Sequence, residues 1–163
     1  MNYLELLKSK IVDIEDLSPL LTFWRFKNQK IVFTNGCFDI LHKGHIEYLA
    51  EAANFGDVLI VGVNTDQSVK KLKGHTRPVM DEESRALVLA ALRVVTTVTL
   101  FNEETPYELI KTIKPNVLVK GADYQEKDIV GADIVKENGG EIVPVDLTEG
   151  YSTSTIIEKI KKG

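Results

Sequence analysis

The sequence predicts an α/β domain built on a doubly wound parallel sheet of five strands with helices on both faces. From residue 30 onward, short apolar and β-branched runs alternate with segments of helical spacing. Those runs are apolar at successive positions, so both faces of each strand must be buried, as in a parallel sheet covered on both sides. No internal repeat, low-complexity tract or linker rich in Pro, Gly and Ser interrupts the pattern, so residues 1–163 are read as one domain. It divides into a helical lead-in (1–29) and an α/β core (30–163).

In the lead-in, "SPLLTFWRFKNQ" offers Ser18 as a helix N-cap, Pro19 at the first helical position and apolar residues on one face. The core opens with a strand "KIVFT" (30–34), a helix over 43–56 ending at Gly56, and a strand "DVLIVGVN" (57–64). A helix over 82–92, a strand over 95–101, a helix over 106–113 and a strand over 116–121 continue the alternation. A helix near 127–138, a strand over 141–146 and a helix from Ser154 complete it.

Composition narrows the function classes. With 44% hydrophobic and 27% charged residues and a net charge of −4, the chain has the balance of an ordinary globular protein and no basic surface for nucleic acid or membrane. A domain of this size buries roughly 70% of the surface its unfolded chain exposes, so no staple is needed. Cys37 is the single cysteine, which excludes an internal disulfide and a cysteine-rich zinc site. No apolar run approaches the roughly 20 residues that span a bilayer, and "MNYLELLKSK" lacks the order of a signal peptide. The expected location is the cytoplasm.

In an open parallel sheet the ligand sits outside the carboxyl ends of the strands, where the strand order reverses. The unusual residues fall in the turns just after strands: "NGCFDILHKGH", "TDQSVKKLKGHTRPV", "GADY" and "TEGYSTST". The first holds two of the three histidines, His42 and His45, three residues apart. On a helix starting near His42 both imidazoles project from the first turn, beside free backbone N–H groups and the positive end of the helix dipole. Gly36 and Gly44 allow close backbone approach. Imidazole donors beside bare amides suit an anion that gains charge during reaction, such as a phosphate under attack. A metal pair is the alternative, with Cys37 and Asp39 as the only nearby third ligands; plain capping or core histidines are another. Dinucleotide-binding and P-loop glycine motifs are absent.

These segments carry a resemblance. "GCFDILHKGH" resembles the H-x-G-H signature of the nucleotidylyltransferase superfamily, as His42-Lys43-Gly44-His45, and "GYSTSTII" (150–157) is similar to its serine/threonine-rich second signature. The wording "FTNGCFDILHKGHIEYL", "LKGHTRPV", "VLVKGADY" and "GGEIVPVDLTEGYSTS" most resembles the D-glycero-β-D-manno-heptose 1-phosphate adenylyltransferase family, in the stand-alone form of the ADP-heptose synthase C-terminal domain. The resemblance implies a Rossmann-like sheet ordered 3-2-1-4-5. It also implies transfer of AMP from ATP to a heptose 1-phosphate, with ATP as co-substrate, Mg²⁺ as cofactor, and a homodimer as the expected assembly. Cytidylyl transfer to glycerol 3-phosphate, or another small-molecule adenylyl transfer, keeps the chemistry and changes the substrate. A non-catalytic nucleotide-binding regulatory domain is the alternative of another class.

The implied catalytic residues are His42 and His45 as phosphate donors, with Lys73 and Arg77 as a cationic clamp on a flexible loop that also serves the sugar phosphate. Arg77 suits this because its planar fork grips two phosphate oxygens. The nucleotide is assigned to Thr34, Asn35, Gly36, Phe38 and Gly44, to Lys120, Gly121 and Asp123 (with Tyr124 as an alternative reader of base or ribose), and to Tyr151, Ser152, Thr153 and Ser154. Asn64 and Asp66 are candidates for sugar hydroxyls. Asp39 either holds its turn by bonding backbone amides or helps bind Mg²⁺. Trp24 and Cys37 are read as packing residues.

Overall fold

A computed structural model describes residues 2–122, 129–148 and 150–163. The core elements are β1 (Ile31–Gly36), α3 (Lys43–Ala53), β2 (Val58–Asn64), α4 (Asp66–Lys73), α5 (Glu82–Ala90), β3 (Thr97–Phe101), α6 (Tyr107–Ile113), β4 (Val117–Gly121), α7 (Ala132–Glu137), β5 (Glu141–Val145) and α8 (Thr153–Lys162), preceded by α1 (Tyr3–Lys8) and α2 (Leu17–Phe26). The five strands form one parallel sheet in the order β3-β2-β1-β4-β5, the predicted order. Asn35 pairs with Gly62 and Gly36 with Val63, so β1 and β2 end level and their turns open on one edge.

The doubly apolar strands explain the layers. On one face Val32, Leu59 and Val61 meet Leu49 and Ala52 of α3 and Ala86 and Leu89 of α5. On the other, Ile31, Phe33 and Ile60 meet Leu21 and Trp24 of α2, Leu109 and Ile113 of α6, and Val135 of α7. Each of the Val, Leu, Ile and Phe side chains contributes about 1.5–3 kcal/mol when fully buried. Gly62 is required by packing, because a Cβ there would lie 2.9 Å from Phe33 Cζ. Trp24 is 7% exposed in this second core, in the packing role expected of it.

Several local expectations are corrected. The α2 helix begins at Leu17 and its N-cap residue is Asp16, so Ser18 lies inside the first turn. Leu17, Leu21 and Trp24 share the buried face, and sinking Leu17 draws the helix start upstream of the polar residue. The α1 helix and the bridge from Ile11 to Val98, at the β3 edge of the sheet, were not anticipated. The segment after β2, read as a flexible loop, begins with the helix α4, capped by Thr65, whose side chain accepts from the Ser68 N–H. The helix expected near 127–138 spans Ala132–Glu137, and its expected start falls partly outside the described residues. Among the described residues no helix is long and apolar enough to cross a membrane.

Candidate active site

A cleft of about 650 Å³ runs along the carboxyl edge of the sheet. At its centre, β1 ends at Gly36 and the chain turns through Phe38, with φ of 45°, to His42. His42 is extended (φ −139°, ψ 172°) and caps α3, its carbonyl accepting from the His45 and Ile46 N–H groups at 2.9 and 3.2 Å. The two imidazoles therefore leave the same turn and stack, with centroids 3.8 Å apart and planes 18° apart. Gly44 lies between His42 and the chain before α8; a Cβ there would be 3.2 Å from His42 Nδ1 and 3.3 Å from Tyr151 Cβ.

Burial pushes the His45 imidazole down from 6.5 to about 4, helped by the neighbouring His42 and opposed by the polar backbone at Ile40. Burial lowers His42 as well. Both rings are thus neutral near pH 7, which removes like-charge repulsion within the stack. Nδ1 of each is buried with no hydrogen-bond partner among the described residues. Those two atoms have almost no accessible surface, so a ligand in the cleft meets the half-buried rings through their remaining edge, where an imidazole N–H suits an anion.

The flanking turns supply cations and hydroxyls. Lys73 at the end of α4 and Arg77 beyond it line the cleft. Lys120 at the end of β4 donates to Asn35 Oδ1, and burial pushes its amine down to about 8. Ser152 caps α8, its Oγ accepting from the Thr155 N–H at 3.0 Å, and Tyr151, Thr153 and Ser154 lie with it on the cleft wall. Gly36, Phe38, Gly44, Asn64 and Gly121 are cleft residues too. Asn64 donates to Ser68 Oγ at 2.9 Å, while Cys37, its thiol pushed up by burial, points Sγ at Asn64 Oδ1 at 3.9 Å. A raised thiol is a packing group and not a nucleophile.

Geometry corrects two expectations, Thr34 and Asp66, and bears on the two roles open to Asp39. Thr34 does not line the cleft: it is fully buried, its hydroxyl bonded to that of Tyr48 at 2.8 Å. Asp66 opens α4 facing Arg85, 2.7 Å from its guanidinium, and not the cleft. Asp39 has no exposed side-chain surface, and its oxygens accept from Arg77 Nε at 2.5 Å and from the Val79 and Met80 N–H groups at 2.8 and 3.0 Å. That saturation fits the turn-holding role and leaves little of the carboxylate for a metal. Asp123 and Tyr124 lie outside the described residues. Among the described residues no trio of His, Cys, Asp or Glu is placed to hold a metal; Mg²⁺ is usually bound through one or two carboxylates together with substrate phosphates and water.

Arg85, 1% exposed, was not anticipated. It donates to the Cys37 and Met80 carbonyls at 2.6 and 3.0 Å as well as to Asp66, tying the histidine turn to the Arg77 loop. Its spacing of four from the apolar Leu89 was the available signal. Glu104, Thr105 and Pro106 after β3, and Ile129, Val130 and Leu147 toward β5, close the two ends of the cleft.

Residues 33–159, which run from within β1 through the histidine turn into α8, match the cytidylyltransferase-like family. The chain belongs to that family. It is 53% identical over 147 residues to the bifunctional protein HldE of Gluconobacter oxydans and 57% identical over 148 residues to that of Campylobacter jejuni subsp. doylei, covering 90% and 91% of this chain. The chain spans about a third of the length of these curated relatives, 31% of each. Among solved structures, a lipopolysaccharide core biosynthesis protein from Thermoplasma volcanium aligns with a TM-score of 0.59 and 31% identity, over 76% of this chain and 99% of that one. Pantoate-beta-alanine ligase from Francisella tularensis, crystallised with an ATP analogue and beta-alanine, aligns at 0.58 over 93% of this chain and 76% of that one; at 22% identity it shows a shared fold.

Proposed function

We propose that this member of the cytidylyltransferase-like family transfers AMP from ATP to a heptose 1-phosphate, yielding ADP-heptose and pyrophosphate for bacterial surface glycan synthesis. The observation that carries the proposal is the stacked pair His42 and His45, half-buried on the wall of the cleft that the Ser152-capped start of α8 also lines. The HldE relatives and the lipopolysaccharide core biosynthesis protein of Thermoplasma volcanium support the sugar-nucleotide setting.

In the proposed reaction an oxygen of the sugar phosphate attacks the α-phosphorus in line, the bond to the β-phosphate oxygen breaks, and pyrophosphate leaves. The attacking monoester is already anionic, so no strong base is required, and the chain's task is to position two anions and neutralise their charge. His42 and His45 donate to the α-phosphoryl oxygens as charge accumulates there. The α8 N-terminus and its hydroxyls hold the leaving phosphates, while Lys73 and Arg77 bring the attacking phosphate close. Mg²⁺ supplied with the nucleotide offsets part of the triphosphate charge.

ATP labelled at the α-phosphorus tests this route. The label is expected in the sugar nucleotide with none on the protein. Label retained on the protein after denaturation, or released as free AMP, contradicts direct transfer.

A further inference from the structure

We propose that Glu104, presented with Asn64 at the β3 end of the cleft, is a specificity residue that reads hydroxyl groups of a polyhydroxylated acceptor. This deepens the proposed function and rests on it for the identity of the acceptor.

The sheet order places the turns after β3 and β5 at opposite ends of the cleft. The two ends differ in chemistry. Ile129, Val130 and Leu147 form an apolar wall toward β4 and β5, whereas Glu104, Thr105 and Asn64 line the end near β3 and β2. Lys73, Arg77, Lys120 and the two histidines lie between. A flat base suits the apolar wall, phosphates suit the centre, and the polar end is left for the rest of the acceptor.

Among the described residues, the acidic side chains that line the cleft are Asp39 and Glu104. Asp39 is consumed by Arg77 and two backbone amides. Glu104 makes no hydrogen bond or ion pair among the described residues. A carboxylate accepts hydrogen bonds and cannot donate them, and it repels phosphate. An occupant of that end that presents donors without negative charge suits it, and the hydroxyls of a sugar are such donors.

The loop carrying Glu104 is fastened on its upstream side. Thr65 donates to Asn102 Oδ1 at 2.6 Å, and Ser68 Oγ donates to the Glu103 carbonyl at 3.0 Å while accepting from Asn64 at 2.9 Å. Glu104 and Asn64 thus belong to one hydrogen-bonded frame at the start of α4, so a carboxylate and a side-chain amide are held on the same part of the wall.

The test uses Glu104→Ala and Glu104→Gln in the full chain, with kinetics in ATP and in heptose 1-phosphate, and calorimetric titration of heptose 1-phosphate and glycerol 3-phosphate without nucleotide. Loss of one or two charge-assisted bonds at an open site predicts a rise of about tenfold in the Michaelis and dissociation constants for heptose 1-phosphate in the alanine variant, with a smaller rise for glutamine. The constants for ATP stay within about twofold, and those for glycerol 3-phosphate, which has fewer hydroxyls, change less than those for the sugar phosphate. Unchanged sugar-phosphate constants, an equal rise for ATP, or wild-type protein binding both phosphates equally well would each overturn the assignment. If wild-type protein binds heptose 1-phosphate but releases no pyrophosphate with ATP, the reaction proposed above fails while the calorimetric comparison still decides on Glu104.

Discussion

Replacing Asp39 with asparagine separates the two roles open to that residue. The carboxylate is fully buried and accepts from Arg77, Val79 and Met80. Asparagine keeps the shape and one carbonyl oxygen for the two amides, but it turns an NH₂ group or a neutral oxygen toward the guanidinium. One charge-assisted bond is lost, about 1.5–3 kcal/mol, and breaking a buried pair by removing one partner runs to about 3–5 kcal/mol. Arg77 keeps 15% of its side chain exposed and can recover part of its hydration, so about 3 kcal/mol is expected. At roughly 2–4 °C per kcal/mol for a domain of this size, the melting temperature falls by about 10 °C. Turnover also falls, because the loop that presents Arg77 to the cleft is released. In the Asp39→Asn, Arg77→Met double variant the losses are less than additive, as expected of partners. Thermal melts and a Mg²⁺ titration of the rate check this. A variant with wild-type stability and a raised Mg²⁺ requirement would refute the account and restore Asp39 as a metal-binding residue.

Other predictions follow from the same geometry. His45→Ala lowers turnover about a hundredfold or more, the cost of removing one oxyanion donor, while near-UV circular dichroism stays native; a near-wild-type rate contradicts the role given to His45. Because the folded protein holds His45 at about 4 against an ordinary 6.5, the unfolded chain binds the extra proton first as pH falls. Stability contributed by the neutral ring is therefore present above pH 6.5 and lost on acidification toward pH 4, and the denaturant midpoint of His45→Gln varies less over that window. Lys120 loses its charge above about pH 8, so the Michaelis constant for ATP rises there in wild-type protein, and Lys120→Arg, charged throughout, flattens the rise.

The fold was readable because its strands announce themselves: Ile31 to Phe33 and Val58 to Val63 are apolar on both faces, and only a sheet covered on both sides buries such runs. The histidine turn and the α8 cap were readable because local spacing alone places those side chains at helix starts. Residues that act across the sequence were not. Thr34 and Asp66 sit where strands end, as ligand-binding residues do, yet one faces Tyr48 and the other Arg85, partners supplied by helices that follow later. Arg85 itself reads as an ordinary exposed helix residue until its carbonyl partners, Cys37 and Met80, are brought beside it by the fold. The α4 helix was missed because its sequence "DQSVKKLK" is mostly polar and charged, and only Ser68 and Val69 are buried.

The central claim is the reaction at the histidine pair, and pyrophosphate release with Mg²⁺ tests it most directly, with ATP and CTP each offered against heptose 1-phosphate and glycerol 3-phosphate. Release with ATP and heptose 1-phosphate alone, abolished in His42→Ala and His45→Ala, is the predicted result. Release only with CTP and glycerol 3-phosphate, or nucleotide binding without release for every pair, would contradict it.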